Sequence, residues 1–284
     1  MRTLARRIAA LLPQAVLRRI ADYRFGYSDR GRSFAYREEQ SNDSCVVVID
    51  ERIRLKASPE FLPDLRFHFV ENGQSRDEMG AFIDAAASSP SDALLYDVGA
   101  HRGIFSLVHC AMSPARRAVL FEPSDSLTRD ARALIDLNGF QDRAQVRACG
   151  IGERKEVRQV VEDDLGFARE AAENQAAHSV EFTTLDDEWQ RTRLAPAILK
   201  IDVEGAEAEV IRGASAILRE APPLIFIELH TDVLEARGES LNDLLRGLSS
   251  ANYRFREPNG KGLSAASLSR SLRAIIRLVA EQQS

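Results

Sequence analysis

Beyond Pro90, short apolar runs recur along the chain, each separated from the next by enough residues for a helix. Ala93 to Val98, Ala118 to Phe121, Ala144 to Ile151, Ala197 to Ile201 and Leu224 to Leu229 carry apolar residues at nearly consecutive positions. That pattern belongs to strands buried on both faces. The segments His101 to Met112, Ser124 to Leu137, about Glu204 to Arg219, and one reaching about Leu248 read as helices. Strands alternating with helices predict a mostly parallel sheet with helices on both faces. Tyr253 to Arg256 reads as the last strand. Leu268, Leu272, Ile275 and Val279 fall at helical spacing and predict a C-terminal helix with one packing face.

Arg154 to Val161 and Ser179 to Leu185 predict a strand pair flanking the polar loop Glu162 to His178. Loops of that length are often lids or binding loops. Ahead of Pro90, Cys45 to Ile49 reads as a strand with Arg52 to Lys56 as its hairpin partner, and Phe67 to Val70 is another short apolar run. Tyr23 to Asn42 reads as polar connecting structure. The chain therefore divides into a small N-terminal α/β appendage over 1–90 and an α/β domain over 91–284.

At the extreme N-terminus Leu4, Ile8, Leu11 and Leu12 lie opposite Arg2, Arg6 and Arg7, an amphipathic helix that Pro13 should end. The apolar run is too short for a signal peptide, and Arg18 and Arg19 follow it. Packing on the domain or on a second copy of the chain is the expected role, which leaves a homo-oligomer open.

With 284 residues, 44% of them hydrophobic, the chain can bury one large core or a full domain plus a smaller piece. A net charge of -5 offers no global basic field, so no nucleic-acid partner is expected. Cys45, Cys110 and Cys149 lack any paired metal-ligand spacing. Cys110 and Cys149 sit among apolar neighbours, which fits a reducing, cytoplasmic setting. No run reaches the about 20 apolar residues of a membrane-spanning helix.

The strand at Leu94 to Val98 runs through Gly99, Ala100, His101, Arg102 and Gly103 into a helix. Ligands of open α/β sheets bind at such turns, outside the carboxyl ends of the strands. Gly99 and Gly103 let the backbone approach a ligand, and the helix N-terminus offers amides to a carboxylate. The methionine part of S-adenosylmethionine has that carboxylate, and Asp97 suits its ammonium. A dinucleotide pyrophosphate needs a G-x-G-x-x-G turn, which Ala100 and His101 break, and no G-K-[ST] serves a triphosphate. Glu122, ending the second strand, is placed for the ribose hydroxyls of an adenosine cofactor.

A second polar cluster ends the fourth and fifth strands. Strand alternation points Asp202 the same way as Glu204, and Glu228 the same way as His230. Here the chain resembles the FkbM-type methyltransferase family. The resemblance rests on Asp97 to Gly103, Phe121 to Pro123, Asn138, Thr184 to Asp186, Leu199 to Glu207, Gly213-Ala214 and Ile227 to His230. These pieces keep the family's order across about half the chain, and Lys200 to Glu207 is the most specific.

The resemblance implies a class I Rossmann-like methyltransferase with a seven-stranded-type sheet, using S-adenosylmethionine on hydroxyl acceptors of small molecules, glycans or lipids. It assigns Asp97, Gly99 and Gly103 to the methionine end, Glu122 to the ribose, and residues near Ala148 and Cys149 to the border of adenine, with His101 counted among the cofactor-binding residues of the turn. The family commonly has asparagine at position 101 and a small or apolar residue at 102, where this chain has His101 and Arg102.

Transfer to a hydroxyl needs a base or a metal to help remove its proton. His230 is the candidate base, because an unperturbed histidine titrates near neutrality. Asp202, Glu204 and Glu228 are candidates to orient it, hold the acceptor, or bind a divalent cation such as magnesium, which the spacing does not require. The bland alternatives are that Asp202 and Glu204 cap the next helix and that His230 is an ordinary strand-end residue. His178 is a weaker substrate candidate; His68 and His109 read as structural. N-methylation and carboxyl methylation stay open, as do a nicotinamide-dependent oxidoreductase and a silent module that only binds an adenosine cofactor.

Overall fold

The computed structural model describes residues 31–40, 45–162, 168–171, 175–268, 271 and 273–283. The expected N-terminal amphipathic helix, half of the segment Tyr23 to Asn42 and parts of the polar loop lie outside these residues; the described half of that segment, expected as connecting structure, holds a strand. The first described elements are the antiparallel strands β1 (Tyr36–Gln40), β2 (Cys45–Ile49) and β3 (Ile53–Ala57). Cys45 to Ile49 thus takes the expected hairpin partner. Helix α1 (Leu62–Arg66) then widens into a π-helical turn over Phe67–Glu71, where a short apolar run was read without a helical assignment. Helix α2 (Gly73–Ser88) follows, its first turn capped by the Asn72 side chain, which accepts from the Ser75 amide at 3.0 Å.

The alternating part comprises β4 (Leu94–Val98), α3 (Ile104–Ala111), β5 (Arg117–Phe121), α4 (Asp125–Asn138) and β6 (Ala144–Arg147). An excursion comes next, β7 (Gly150–Ile151), β8 (Glu156–Glu162), β9 (Ala168–Glu170) and β10 (His178–Thr183), and returns through α5 (Leu185–Thr192). The chain continues as β11 (Ile198–Ile201), α6 (Glu207–Arg212), α7 (Ser215–Glu220), β12 (Leu224–His230), α8 (Thr231–Ala236) and α9 (Leu241–Ser250). It closes with β13 (Tyr253–Arg256), β14 (Gly262–Leu263), α10 (Ala265–Leu268) and β15 (Ile275–Gln282).

The main sheet has eight strands in the order β14-β13-β15-β12-β11-β4-β5-β6. Strands β12 through β6 in that order are parallel, and β15 inserts antiparallel between β12 and β13. The C-terminal segment is therefore a central strand where helical spacing predicted a helix. Its core-facing Ile276, Leu278 and Ala280 alternate along it with period two, and β12 holds it by six paired residues. Spacing alone does not separate a short apolar strand from a helix.

A second correction concerns the expected strand Ala144 to Ile151. It splits after Arg147, and β7 leaves the main sheet to pair with β10, in a separate sheet ordered β7-β10-β8-β9. The strand pair read from the sequence is the β8–β10 pairing, which is antiparallel.

Two apolar cores cover the two faces. Leu94, Tyr96, Val98, Leu199 and Ile201 face α6, α7 and α9. Leu95, Leu120, Ile198 and Phe226 face the other way, where β2, β3 and α2 share one core with α3 and α4. By alternation, Asp97, Lys200, Asp202, Glu228, His230 and Arg277 all belong to this second face.

Candidate active site

The carboxyl ends of β4, β5, β11 and β12 open into one cavity of about 620 Å³. At its β4 end the chain turns through Gly99, φ 72°, and His101, φ 53°. A side chain at Gly99 would put its Cβ 1.7 Å from the Asp202 carbonyl oxygen, so only glycine lets β4 and β11 lie this close. Arg102 ties the turn down, donating to Asp130 at 3.0 Å and Asp64 at 3.1 Å. The unusual arginine is thus a brace between α1 and α4.

Two acids are buried in this half. The Ser106 hydroxyl donates to Asp97 at 2.7 Å, and burial raises the Asp97 carboxyl to about 6. Glu122 accepts the His101 amide at 2.8 Å and the Ser124 amide at 3.0 Å, and burial raises it to about 7.

The other half is a charged network. His230 Nδ1 and Glu207 Oε1 are 2.9 Å apart, and the same carboxylate oxygen accepts the Gly205 amide at 3.0 Å. With Nδ1 so engaged, Nε2 faces Glu204 at 3.4 Å, Glu228 at 3.8 Å and Asp202 at 4.0 Å. Burial disfavours the imidazolium, but Glu207 and these three acids outweigh it and raise the ring to about 9. The expectation of a ring titrating near neutrality is therefore corrected.

Burial pushes Glu228 up to about 7 against the pull of Arg277, its cross-strand partner on β15. Arg277 donates to both oxygens of Glu228 at 2.9 Å and to Glu78 at 3.1 Å. Lys200 lies 3.1 Å from Glu78 and 3.4 Å from Asp202, and these acids hold its ammonium above the ordinary range despite burial. Burial opposes ionisation of Asp202, yet Lys200, His230 and Arg277 hold its carboxyl below the usual range.

A family model described as the methyltransferase FkbM domain matches residues 97–255, more than half of the chain. The chain belongs to this family. No curated protein matches it. Among solved structures, methyltransferase FkbM from Methylobacillus flagellatus KT is 16% identical, with 72% of this chain and 59% of that chain covered and a TM-score of 0.43. The chain thus spans less than two thirds of that protein's length. Precorrin-6y C5,15-methyltransferase from Geobacter metallireducens GS-15 is 10% identical, with 76% and 91% covered and a TM-score of 0.43. The B. subtilis tRNA methyltransferase TrmK is 12% identical, with 72% and 65% covered and a TM-score of 0.37.

In this FkbM domain the cavity brings together Asp97, Gly99, His101, Glu122, Asp202, Glu204, Glu228 and His230 among its lining residues. Gly103 stands just behind the turn as the left-handed residue before α3. Ala148 is exposed and Cys149 packs in the core, and neither lines the cavity; Gly150 and Ile151 do, because the bend after β6 shifts the wall onward. His109 is structural, with Nε2 2.9 Å from the Ala93 carbonyl, whereas His68 lines the cavity.

Sequence reasoning missed Glu78, Arg277 and the orienting role of Glu207. Glu207 stood inside the most specific motif. Arg277 needed β15 to be a strand.

The residues fit the family's cofactor. The cavity's volume suits a ligand of that size. Its buried acids stand at the ends of adjacent strands, where an ammonium and a ribose diol would satisfy them.

Proposed function

We propose that this protein is an S-adenosylmethionine-dependent methyltransferase that acts on a hydroxyl of a small molecule, glycan or lipid. The observation that carries the reading is the His230–Glu207 pair, facing Asp202, Glu204 and Glu228 in the same cavity as Asp97 and Glu122. The family's cofactor, when bound, supplies an electrophilic methyl group on sulfur.

Asp97 is assigned to the cofactor ammonium, the turn from Gly99 to Gly103 to its carboxylate, and Glu122 to its ribose. Gly150 and Ile151 take the adenine border. At the other end, Glu207 fixes the imidazole so that Nε2 meets the acceptor hydroxyl, and the surrounding carboxylates stabilise positive charge there. The acceptor hydroxyl would give its proton to the neutral fraction of the His230 imidazole, which grows as pH rises toward about 9, as the methyl group is transferred. Holding the oxygen in line supplies much of the acceleration.

The net charge of -5 supports an acceptor other than nucleic acid. No described helix is long and apolar enough to cross a membrane. The three free, buried cysteines support a reducing compartment.

His230→Ala should lower turnover at least about a hundredfold while S-adenosylhomocysteine binds nearly as before. Turnover is followed with labelled S-adenosylmethionine on acceptors found by a metabolite screen, run with and without magnesium. Unchanged turnover removes His230 from the mechanism, and absence of S-adenosylhomocysteine binding overturns the reading itself.

A further inference from the structure

We propose that Asp202, Glu228 and His230 form a binding site for one divalent metal ion. Each offers one ligand atom, and the three atoms lie within 4.8 Å of one another. His230 Nε2 is 3.8 Å from Glu228 Oε1 and 4.0 Å from Asp202 Oδ1. Donors around a six-coordinate ion with bonds of about 2.1 Å stand about 3 to 4 Å apart, so the side chains need only small movements.

Each donor is held from behind, as ligand side chains usually are. Glu207 engages Nδ1 of His230 and leaves the Nε2 lone pair for a ligand. Arg277 orients the Glu228 carboxylate through both oxygens. Lys200 takes Asp202 Oδ2, which leaves Oδ1 on the histidine side.

Charge balance points to the same occupant. Glu78, Asp202, Glu204, Glu207 and Glu228 face two permanent cations, Lys200 and Arg277. The imidazolium proton that these acids favour offsets part of that excess, and a divalent ion bound in its place offsets more of it.

The same cavity holds an unsatisfied polar atom beside this charged network. His68 Nδ1, on the π-helical turn, is shielded from solvent and has no hydrogen-bond partner among the described residues, although the residue lines this cavity. Buried polar atoms are rarely left so, and an oxygen carried by a bound ion or acceptor satisfies it.

Two carboxylates and one imidazole suit Mn²⁺ or Mg²⁺, with Zn²⁺ as the competitor that favours nitrogen. With the ion bound, His230 Nε2 would be its ligand instead of the proton acceptor, and the ion's Lewis acidity would take over the task of acidifying the acceptor hydroxyl. That consequence rests on the proposed methyl transfer, whereas metal binding itself does not.

The test is a titration of the full chain, stripped with chelator, with Mn²⁺ alone, read by electron paramagnetic resonance. One ion per chain is expected, with electron spin-echo modulation from a directly bound nitrogen. Mg²⁺ and Zn²⁺ are added as competitors. Asp202→Asn, Glu228→Gln and His230→Ala should each weaken binding by about tenfold or more, and His230→Ala should abolish the nitrogen modulation.

Thermal unfolding and S-adenosylhomocysteine calorimetry on the same preparations separate a lost site from a lost fold. If the wild type binds S-adenosylhomocysteine but no Mn²⁺ at millimolar concentration, the metal site is overturned and the methyltransferase reading stands. Binding without nitrogen modulation also overturns it. Mn²⁺ binding with the nitrogen signal but no S-adenosylhomocysteine binding supports the site and sinks the methyltransferase reading instead.

Discussion

Asp97 and Glu122 stand in the cofactor half with their acidity suppressed by burial, Asp97 to about 6 and Glu122 to about 7. For Glu122 the folded state holds its proton more tightly than the unfolded state, whose carboxyl titrates at about 4.5. Its stabilising effect is complete below about pH 4.5 and is lost as pH rises through about 7. Glu122→Gln cannot ionise, but its amide N–H would meet the amide of His101 or Ser124. The variant should therefore be less stable than wild type at pH 5, with the gap closing by pH 8. Thermal unfolding at the two pH values checks this, and a pH-independent gap rules it out. In wild type, S-adenosylhomocysteine affinity should fall as pH drops from 8 to 6, because ribose hydroxyls donate to the ionised carboxylate.

These two acids were legible in the sequence because each ends a strand, and strand alternation fixes where a strand-end side chain points. The same holds for Asp202, Glu228 and His230. Glu78 and Arg277 were not, since their roles depend on contacts with distant parts of the chain.

At the scale of elements, the turn after β4 carries the most local information. Its first residue, Gly99, is left-handed and pressed against the Asp202 carbonyl, while the Asp202 amide bonds to the Val98 carbonyl at 2.9 Å. Neither backbone can retreat without breaking the β4–β11 pairing. Gly99→Ala should cost about 3 kcal/mol or more and weaken cofactor binding. Gly139 supplies the contrast, left-handed at φ 70° but with nothing within 4 Å of an added Cβ. Gly139→Ala should cost only about 1 to 2 kcal/mol. Chemical denaturation of both variants decides, and equal losses would refute the close-approach argument.

Element type was legible wherever a glycine turn or a cap bounded an apolar run, as at α4, whose Ser124 side chain accepts the Leu127 amide. It failed at β15, where Ile275 and Val279 continued a helical spacing by chance. It failed again after β6, because nothing in Ala148-Cys149 announces a strand changing sheets.

For the whole molecule, the decisive fact is that residues before Pro90 complete the core of the α/β part after it. Val47, Leu55, Phe82 and Ile83 share one apolar cluster with Phe105, Leu107, Val108, Leu134 and Ile135 of α3 and α4. The same N-terminal part places His68 and Asp64 in the cavity wall and Glu78 between Lys200 and Arg277. Exposing side chains of this size costs about 1.5 to 3 kcal/mol each, so losing the contacts of several approaches the about 5 to 15 kcal/mol by which a domain is stable. Removing Glu78 also leaves two buried cations short of a counter-charge, a further penalty. A fragment of residues 91–284 should therefore fail to unfold cooperatively and fail to bind S-adenosylhomocysteine, although it contains every residue assigned to the cofactor. Calorimetry and size-exclusion chromatography of that fragment test the point. A monomeric, cooperatively unfolding fragment with wild-type affinity would show that the α/β part stands alone, and that the N-terminal elements serve only the acceptor side of the cavity.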